Sequence, residues 1–347
     1  MCQKELVSVI VNVYNCKTYL QKALDSVREQ RWRNLEVILV DDCSTDGSDV
    51  FCEEYCRQDA RFRLIRHERN MGVSGPRNTG LKNASGEYIY FMDGDDFLHP
   101  EAIEALMDAI RETGLSLAVF GFFSGALPDA DNHIPRDKKQ VQVIPAEKMV
   151  FEMLSKARLK WCVAWNKLYK RSLIDGLFFN DAYSIQDQDF NLRVYQRVEK
   201  AAFVPEPLYW YVQNPDSLQR KGSYMAKKYY LNLLYRFKML DHVLSGRNGE
   251  KYRAWLIGYG FLHMVKHREI ERNTDYEAVF GEWSKETLRT YGREFLFMKH
   301  FPLTRKALFA VLWWLPWVYR CYSRWILPWR IKRYNAQTAA GIIRTEC

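Results

Sequence analysis

The chain has 347 residues with 48% hydrophobic content, which is enough apolar sequence to form a substantial core. Its formal net charge of +9 equals the nine Lys and Arg of the segment 295–345, which holds no acidic residue, and this uneven distribution argues against a nucleic-acid-binding protein. The eight cysteines show neither C-x-x-C pairs nor the spacing of a zinc site or disulfide framework, and the first residues, MCQKE, lack a signal-sequence pattern, so we expect reduced thiols and no secretion.

Apolar strands alternate with helices through the first hundred residues. Four apolar runs predict buried strands: LVSVIVNV (6–13), LEVILV (35–40), FRLIR (62–66) and EYIYFM (87–92). Helical spacing or helix-entry loops follow the first three, at 19–30, 44–59 and 72–84. This alternation predicts an α/β fold with a doubly wound, mostly parallel sheet flanked by helices, in which ligands bind outside the carboxyl ends of the strands.

The later elements are less regular and end in helices. We predict a helix from Pro100 to Gly114, a strand at 117–123, a surface excursion at 127–140, a helix at 146–156, another helix starting near Asp187 and a strand pair within AAFVPEPLYWYV (201–212). Beyond about Met225 the pattern is helical throughout. We therefore expect an α/β domain at 1–220 and a helical C-terminal extension at 221–347.

Polar side chains follow each of the four strands, at one edge of the predicted sheet. They are Asn12, Tyr14 and Asn15, then Asp41 and Asp42, then Arg66 and His67, and finally Asp93 and Asp95. In the stretch MDGDD, three acids, Asp93, Asp95 and Asp96, surround Gly94. Acids this close need a cation, and carboxylate oxygens suit Mg²⁺ or Mn²⁺, with a diphosphate completing the coordination. The alternative is a solvated acidic turn in which Asp96 caps the next helix.

Several ordered blocks extend this pattern over most of the first hundred residues. VSVIVNVYN, LEVILVDDCSTDGS, GVSGPRNTGL and GEYIYFMDGDDFLHP resemble, in order and spacing, the motifs of the family 2 glycosyltransferases, and the later WNKLYKRSLI and SIQDQDFNLRVY are similar to the family's acceptor-side motifs. The resemblance implies the GT-A nucleotide-sugar-binding fold, with a nucleotide-sugar half at 1–100 and an acceptor half at 101–220. Two positions depart from the family: Asn12 stands where many members have proline, and Cys43 where many have glycine.

The resemblance assigns the nucleotide to the ends of the first two strands. Asn12 and Tyr14 match positions that contact the nucleotide, and a tyrosine ring can stack on a base, although packing against the next helix is an alternative. Asp42 matches the aspartate that accepts a hydrogen bond from the uracil imide N–H, a role that suits an acceptor-only carboxylate. Asp41 is a possible further contact, but helix capping or loop support would explain it equally well. The expected donor is a UDP-sugar.

Arg77 and the acids around Gly94 match the family's diphosphate and metal positions. Arg77 can offer its cationic fork to phosphate oxygens, with a surface salt bridge as the alternative. Asp93 is expected at the ribose or the metal, and Asp95 is expected to ligate Mn²⁺ or Mg²⁺ directly. Asp96 is a possible further site residue, with the role of orienting the neighbouring acids.

The catalytic base is expected in SIQDQDF. A sugar hydroxyl is a poor nucleophile at neutral pH, so a carboxylate must accept its proton as the new bond forms. The motif assigns this role to Asp187, with Asp189 as the alternative, and a third interpretation is that these are helix N-terminal carboxylates without a catalytic role. Trp165 and Lys167 are possible acceptor-side residues, although core tryptophans would fit equally well.

The function implied by the resemblance is transfer of a sugar from a nucleotide diphosphate sugar to a lipid-linked or polysaccharide acceptor. The implied enzyme is inverting, metal-dependent and non-processive, and it belongs to polysaccharide biosynthesis. The alternative is a non-catalytic nucleotide-sugar-binding scaffold of a polysaccharide assembly complex. Nucleic acid is not an expected partner.

A basic, aromatic segment at 301–334 contains five tryptophans among Lys and Arg. Its longest uncharged run, 307–319, includes Pro316 and is too short to span a bilayer, which takes about 20 apolar residues. Tryptophans at headgroup depth and cations facing anionic lipid suit an interfacial element, so we expect a peripheral protein on the cytoplasmic face of the cell membrane. A helix packed on the catalytic domain is the alternative.

Overall fold

The computed structural model describes residues 5–125, 139–156, 158–180, 186–212, 249–270 and 277–314. The chain divides into two compact units, Met1–Ser217 and Leu218–Cys347. The domain boundary predicted at 220 lies outside the described residues and stays a prediction, as does nearly all of the surface excursion predicted at 127–140.

The first unit alternates strands and helices along the chain. Its first half contains β1 (Val7–Val13), α1 (Lys17–Arg28), β2 (Leu35–Asp41), α2 (Ser48–Gln58), β3 (Phe62–Arg66), α3 (Ser74–Asn83), β4 (Tyr88–Asp93) and β5 (Phe97–Leu98). Its second half contains α4 (Ala102–Thr113), β6 (Leu117–Gly125), β7 (Gln142–Pro145), α5 (Ala146–Lys156), α6 (Leu159–Cys162), β8 (Lys167–Lys170), α7 (Arg171–Ile174), α8 (Gln186–Tyr195) and β9 (Lys200–Val212).

Nine strands of the described residues form one sheet in the order β3-β2-β1-β4-β8-β6-β9-β5, with β7 pairing to β9 off this path. The first four strands are mutually parallel, as predicted, and β6 is parallel to β9. The second half is mixed, because β8 runs antiparallel to both β4 and β6. Strand order reverses between β1 and β4, since β2 and β3 extend to one side of β1 and β4 lies on the other. Ligands of doubly wound sheets bind at such a switch point.

The core explains why the N-terminal strands are apolar almost without interruption. Val7, Val9, Ile10, Val11 and Val13 of β1 are completely buried, as expected of a parallel strand covered on both faces. Helix α3 packs on this strand through Gly80, where a Cβ atom would collide with the Ile10 side chain. The missing side chain therefore lets α3 approach the sheet closely, which seats the start of the helix beside the switch point.

The predicted strand pair at 201–212 is wrong, because β9 is a single strand of 13 residues. The strand contains Pro205 and Pro207, neither of which can donate a ladder hydrogen bond. The strand tolerates them through register shifts against β6 on both sides of Gly121, where a Cβ atom would lie 3.2 Å from the Glu206 carbonyl oxygen. The short strands β5, β7 and β8 were not predicted, because two to four residues carry too little periodicity to detect.

The described part of the second unit is helical, as predicted, and consists of α9 (Gly249–Ile270), α10 (Glu277–Phe297) and α11 (Leu303–Trp314). Aromatic packing joins the three helices, because the Phe261 ring lies 4.8 Å from Phe295 and 5.2 Å from Phe309. Arg253 of α9 adds a two-point ion pair with Glu294 of α10. In the described ranges, no helix combines the length and apolarity needed to cross a bilayer. Of the basic, aromatic segment predicted at 301–334, residues 315–334 lie outside the described residues.

Candidate active site

The switch point brings together Asn12 of β1 and Asp93 of β4, which are register partners on adjacent parallel strands. The amide Nδ2 of Asn12 donates a hydrogen bond to Asp93 Oδ1 over 3.1 Å. Asn12 thus orients an acid that the sequence predicts to bind the donor. Its own Oδ1 atom is buried without a partner in the described structure.

Arg77, in the first turns of α3, bridges two predicted site carboxylates. Its Nη2 donates to Asp93 Oδ1 over 3.0 Å, and its Nη1 donates to Asp187 Oδ1 in a closer contact. The side chain is 3% exposed, and its guanidinium lies 5.2 Å from the centre of the Phe179 ring. Burial alone would lower the pKa of Arg77, but the attraction of the Asp187 and Asp93 carboxylates is the larger effect and raises the pKa above its usual value. Arg77 is therefore a fixed cation at the centre of the site.

This placement adds to the sequence-based interpretation of Arg77. Both terminal nitrogens donate to carboxylates, while the buried Nε has no partner in the described structure, so Arg77 links two acids and its contact with phosphate oxygens stays a prediction. The alternative, a surface salt bridge, is excluded by the same burial. The fork of an arginine suits the observed task, because its planar donors can serve two acceptors at once.

Asp187 lies in the first turn of α8 and joins the network from the other side of Arg77. Its Oδ2 accepts a hydrogen bond from the Ala164 backbone N–H over 3.1 Å, and the side chain remains 20% exposed. Desolvation by burial, opposed by Arg77 and reinforced by the Asp93 charge, raises the pKa of Asp187 above its ordinary value. A carboxylate with a raised pKa is a stronger base, which suits proton transfer near neutral pH.

Asp189, the alternative base, is placed differently. It is completely buried and accepts a hydrogen bond from Arg193 Nη2 at 2.7 Å, one helical turn further along α8. Asp187 is thus the carboxylate of this motif that reaches Arg77 and the switch point, whereas Asp189 makes an ion pair within its own helix. The geometry favours Asp187.

The acids around Gly94 separate into two kinds. Asp96 is buried and accepts hydrogen bonds from the Tyr209 hydroxyl at 2.6 Å and the Val212 backbone N–H at 2.8 Å, so it ties the turn to β9 and does not cap the next helix. Asp95 has no hydrogen bond from another described residue. Burial and the Asp93 charge raise the pKa of Asp95 to about 6. Gly94 is required between Asp93 and Asp95, because a Cβ atom there would lie 2.7 Å from the Asn12 carbonyl oxygen.

These residues fit a divalent cation only in part. Within the described ranges, no group of three or more His, Cys, Asp or Glu side chains is arranged to hold a metal. Asp93 and Asp95 do offer neighbouring hard oxygen ligands, and Asp95 has no compensating cation in the described structure. Mg²⁺ commonly uses one or two protein carboxylates together with substrate phosphates. The donor set therefore fits Mn²⁺ or Mg²⁺ when a diphosphate supplies the other ligands.

The nucleotide end of the predicted site is formed by the loops after β1 and β2. Tyr14 is 45% exposed, so its ring is available for stacking and is not packed in the core. Asp42 is buried and its Oδ1 accepts from His67 at 2.7 Å and from the Met71 backbone N–H at 2.8 Å. Asp41 Oδ2 accepts from the Ser44 backbone N–H over 3.1 Å, which agrees with the loop-support alternative.

Cys43 has a backbone conformation that usually favours glycine. Its φ angle is 64°, in the left-handed region that costs a residue with a Cβ about 1 kcal/mol. Asn15 in the facing loop also has a positive φ, of 47°. The loops hold each other, because Asn15 Oδ1 accepts from the Thr45 backbone N–H at 2.8 Å. The turn that presents Asp42 thus keeps the glycine-like conformation despite the substitution.

Trp165 and Lys167, the possible acceptor-side residues, lie in the core. The Trp165 ring is stacked between Tyr209 and Tyr211, with ring centres 4.3 and 5.5 Å away. Lys167 is completely buried, and its ammonium donates to the carbonyls of Lys160 and Val163 and to Asn166. Burial lowers the pKa of Lys167 to about 7. Neither side chain is available to contact an acceptor; they support the segment that carries Ala164.

Sequence reasoning missed three contributors to the site. His67 was noticed at a strand end but received no role, the Tyr209 hydroxyl was hidden in an aromatic strand, and the Ala164 contact uses only a backbone N–H. A polar residue directly after a parallel strand was the available signal for His67. The other two depend on contacts more than a hundred, or more than twenty, residues apart.

The fold and the acid-lined switch point define an α/β protein of the doubly wound class with a candidate ligand site at the carboxyl ends of its strands. The family model described as Glycosyl transferase family 2 matches residues 8–178. The uncharacterized glycosyltransferase EpsJ of Bacillus subtilis is 33% identical over 239 residues, which are 67% of this chain and 69% of EpsJ. The chain belongs to glycosyltransferase family 2.

Two further comparisons agree with that assignment. The GalNAc(5)-diNAcBac-PP-undecaprenol beta-1,3-glucosyltransferase of Campylobacter jejuni is 25% identical over 278 residues, covering 79% of this chain and 85% of that protein. The crystal structure of Staphylococcus aureus TarS 1-349 in complex with UDP-GlcNAc has a TM-score of 0.59 at 21% identity, covering 74% of this chain and 72% of that one. The structural likeness shows that the fold is GT-A, as the sequence predicts.

Proposed function

We propose that this enzyme transfers a sugar, with inversion, from a UDP-sugar to a hydroxyl of a lipid-linked or polysaccharide glycan. The observation that carries the proposal is the Asp93–Arg77–Asp187 bridge at the switch point of a GT-A sheet. It joins a donor-side acid on β4 to a base candidate on α8 through one buried cation. A scaffold that only binds the nucleotide would not need a base held in this way.

Each residue of the bridge has a distinct task in the proposed reaction. Asp187 accepts the proton of the acceptor hydroxyl as that oxygen attacks the anomeric carbon from the face opposite the leaving diphosphate. Arg77 holds Asp187 in place, and its charge opposes the rise in the pKa of Asp187 that burial causes. Asp93 and Asp95 would hold Mn²⁺ or Mg²⁺, which would offset the negative charge of the diphosphate. One displacement inverts the anomeric centre, so no glycosyl-enzyme intermediate is needed.

Two relatives support the proposed donor and acceptor classes. TarS binds UDP-GlcNAc in its crystal structure, and the Campylobacter jejuni relative is named for an undecaprenol-linked glycan acceptor. Asp42 presents an acceptor-only group at the nucleotide end, which suits the N–H of uracil. We propose a single, non-processive addition to such a glycan.

A thermal-shift screen of nucleotide sugars with and without Mn²⁺ tests the donor assignment. A ligand that binds the folded state at 100 times its Kd adds about 2.7 kcal/mol of stability, so the melting temperature should rise with UDP-sugars. ADP-glucose and CMP-linked sugars serve as controls and should not raise it. A protein stabilised by none of these nucleotides, with or without the metal, would contradict the proposal.

We also propose that the end of α10 and α11 contact the cytoplasmic face of the cell membrane. Four large apolar side chains here are more than half exposed: Leu296, Phe297, Leu303 and Trp314. The exposed Lys299 and Arg305 lie among them, and no acidic residue occurs from 295 to 345. Apolar side chains beside cations match the acyl and headgroup layers of an anionic bilayer.

Co-sedimentation of the full chain with vesicles tests this surface. We expect binding to phosphatidylglycerol vesicles and little binding to phosphatidylcholine, because the cations require anionic lipid. Replacing Leu296, Phe297, Leu303 and Trp314 together by Ser should weaken binding about tenfold or more, since the buried apolar area is lost. The control is Val50→Ser, which changes an apolar side chain of α2 that is 55% exposed. Equal binding of both variants would refute the proposed surface.

A further inference from the structure

His67 connects the nucleotide end of the site to helix α3. It follows β3 directly, and its backbone N–H donates to the Asp41 carbonyl over 2.9 Å, which extends the pairing of β2 with β3. Its ring lies between two side chains, with Nδ1 2.7 Å from Asp42 Oδ1 and Nε2 2.9 Å from Thr79 Oγ1. The ring is only 12% exposed, so it has little freedom to leave this position.

The network fixes which ring nitrogen carries the proton. A carboxylate can only accept hydrogen bonds, so Nδ1 donates to Asp42. In the neutral ring, Nε2 then accepts from the Thr79 hydroxyl. Thr79 lies on α3 next to Gly80, the residue that seats the helix against β1. His67 is therefore anchored to helix α3 through Thr79 and fixes the Asp42 carboxylate through Oδ1.

This contact leaves one side of the Asp42 carboxylate for a ligand. Its Oδ1 receives both observed donors, His67 and the Met71 backbone N–H, and no other described residue donates to the group. Because the two hydrogen bonds to Oδ1 restrict rotation of the carboxylate, they also fix the direction in which Oδ2 can accept a hydrogen bond. Asp42 Oδ2, which can only accept hydrogen bonds, would pair with the ring N3–H of uracil. Cytosine has a lone pair at N3, which would be repelled by this oxygen.

We propose that His67 is a positioning residue that sets the preference for a nucleobase with a ring N–H, by holding Asp42 through its anchor on Thr79. The inference rests on the UDP-sugar donor proposed above. It adds a residue that touches neither the nucleotide nor the sugar and still determines which nucleotide binds. A purely structural link between β3 and α3 would predict no effect on nucleotide preference.

Isothermal titration of the full chain with UDP and CDP separates these roles. His67→Phe keeps the ring volume and removes both hydrogen bonds, so UDP affinity should fall about tenfold while CDP affinity changes less than about twofold. His67→Asn restores a donor near the Nδ1 position and should recover most of the UDP preference. Thr79→Val removes only the anchor and should cost about threefold, with no further loss when combined with His67→Phe.

The matched control is Arg66→Ala, at the preceding position, where the side chain pairs with Asp49 and Glu53 on α2 and should leave both affinities unchanged. A UDP-to-CDP preference that persists in His67→Phe would refute the inference while leaving the proposed function intact. If His67→Phe does not fold, the UDP-to-CDP preferences of His67→Asn and Thr79→Val test the inference instead. An unchanged preference in Thr79→Val would then refute the role of His67. A parent enzyme that binds neither nucleotide would refute the proposed donor together with the inference.

Discussion

Replacing Asp187 by Asn should lower kcat for sugar transfer about 10³-fold while UDP affinity changes less than about threefold. The substitution removes the proton acceptor without changing the size of the side chain. The nucleotide end, around Asp42 and Tyr14, is formed by other loops, so donor binding should survive. Release of UDP from the donor, with acceptor or with water, measures the first effect, and titration with UDP measures the second.

Asp189→Asn is the matched control, because it makes the same chemical change two residues further along α8. Asp189 is buried against Arg193 and does not reach Arg77, so this variant should keep its kcat within about threefold. It should instead be less stable by about 3 kcal/mol, since a buried charge loses its partner. If Asp189→Asn abolished transfer and Asp187→Asn did not, the two assignments would have to be exchanged. UDP release at the uncatalysed background rate in all three proteins would favour the non-catalytic scaffold.

The donor half of this fold could be predicted from the sequence because short, continuous sequence patterns mark its strands and their ends. A parallel strand covered on both faces must be apolar throughout, so β1, β2 and β4 stand out as uninterrupted runs, and polar residues mark their ends. The switch-point rule then places Asn12, Asp42 and Asp93 at one edge of the sheet without any knowledge of side-chain contacts. The family motifs added the GT-A assignment, which the structural comparison confirmed.

The partners of those side chains could not be predicted in the same way. Arg77 was assigned to phosphate because a cation in a glycine-containing loop suits an anion, but α8 returns 110 positions later and supplies Asp187 as a nearer anion. Asp96 meets β9 through Tyr209, a residue with no polar neighbour in the sequence to signal a role. Trp165 and Lys167 were possible acceptor-side residues with a core position as the alternative, and the aromatic stack and three acceptors place them in the core. The contacts of Arg77, Asp96 and Trp165 join segments that are distant in the sequence, which sequence reasoning alone does not reveal.

Arg77→Met should destabilise the catalytic unit by about 3 kcal/mol or more and abolish transfer. Methionine fills a similar volume but removes the cation between Asp93 and Asp187, so two carboxylates would face each other in a poorly solvated site. Truncating one partner of a buried pair costs more than the pair contributes, because the remaining charge is left without compensation. Arg66→Met is the control, since its exposed ion pairs are worth about 0–1 kcal/mol.

Dependence on pH gives the Arg77 prediction a second measurement. Without the cation, the folded-state pKa of one carboxyl rises further above its unfolded value, so its ionisation opposes folding once the pH exceeds the unfolded pKa. The stability deficit of Arg77→Met relative to the parent should therefore be largest at pH 8 and shrink as the pH falls toward 5. Adding Asp187→Asn to Arg77→Met removes one of the opposed charges and should recover part of the lost stability, although not the activity. Urea unfolding of the parent, Arg77→Met, Arg66→Met and the double variant at pH 8 and pH 5 measures these differences. A stability deficit of Arg77→Met that grows as the pH falls would show that Arg77 does not compensate the two acids.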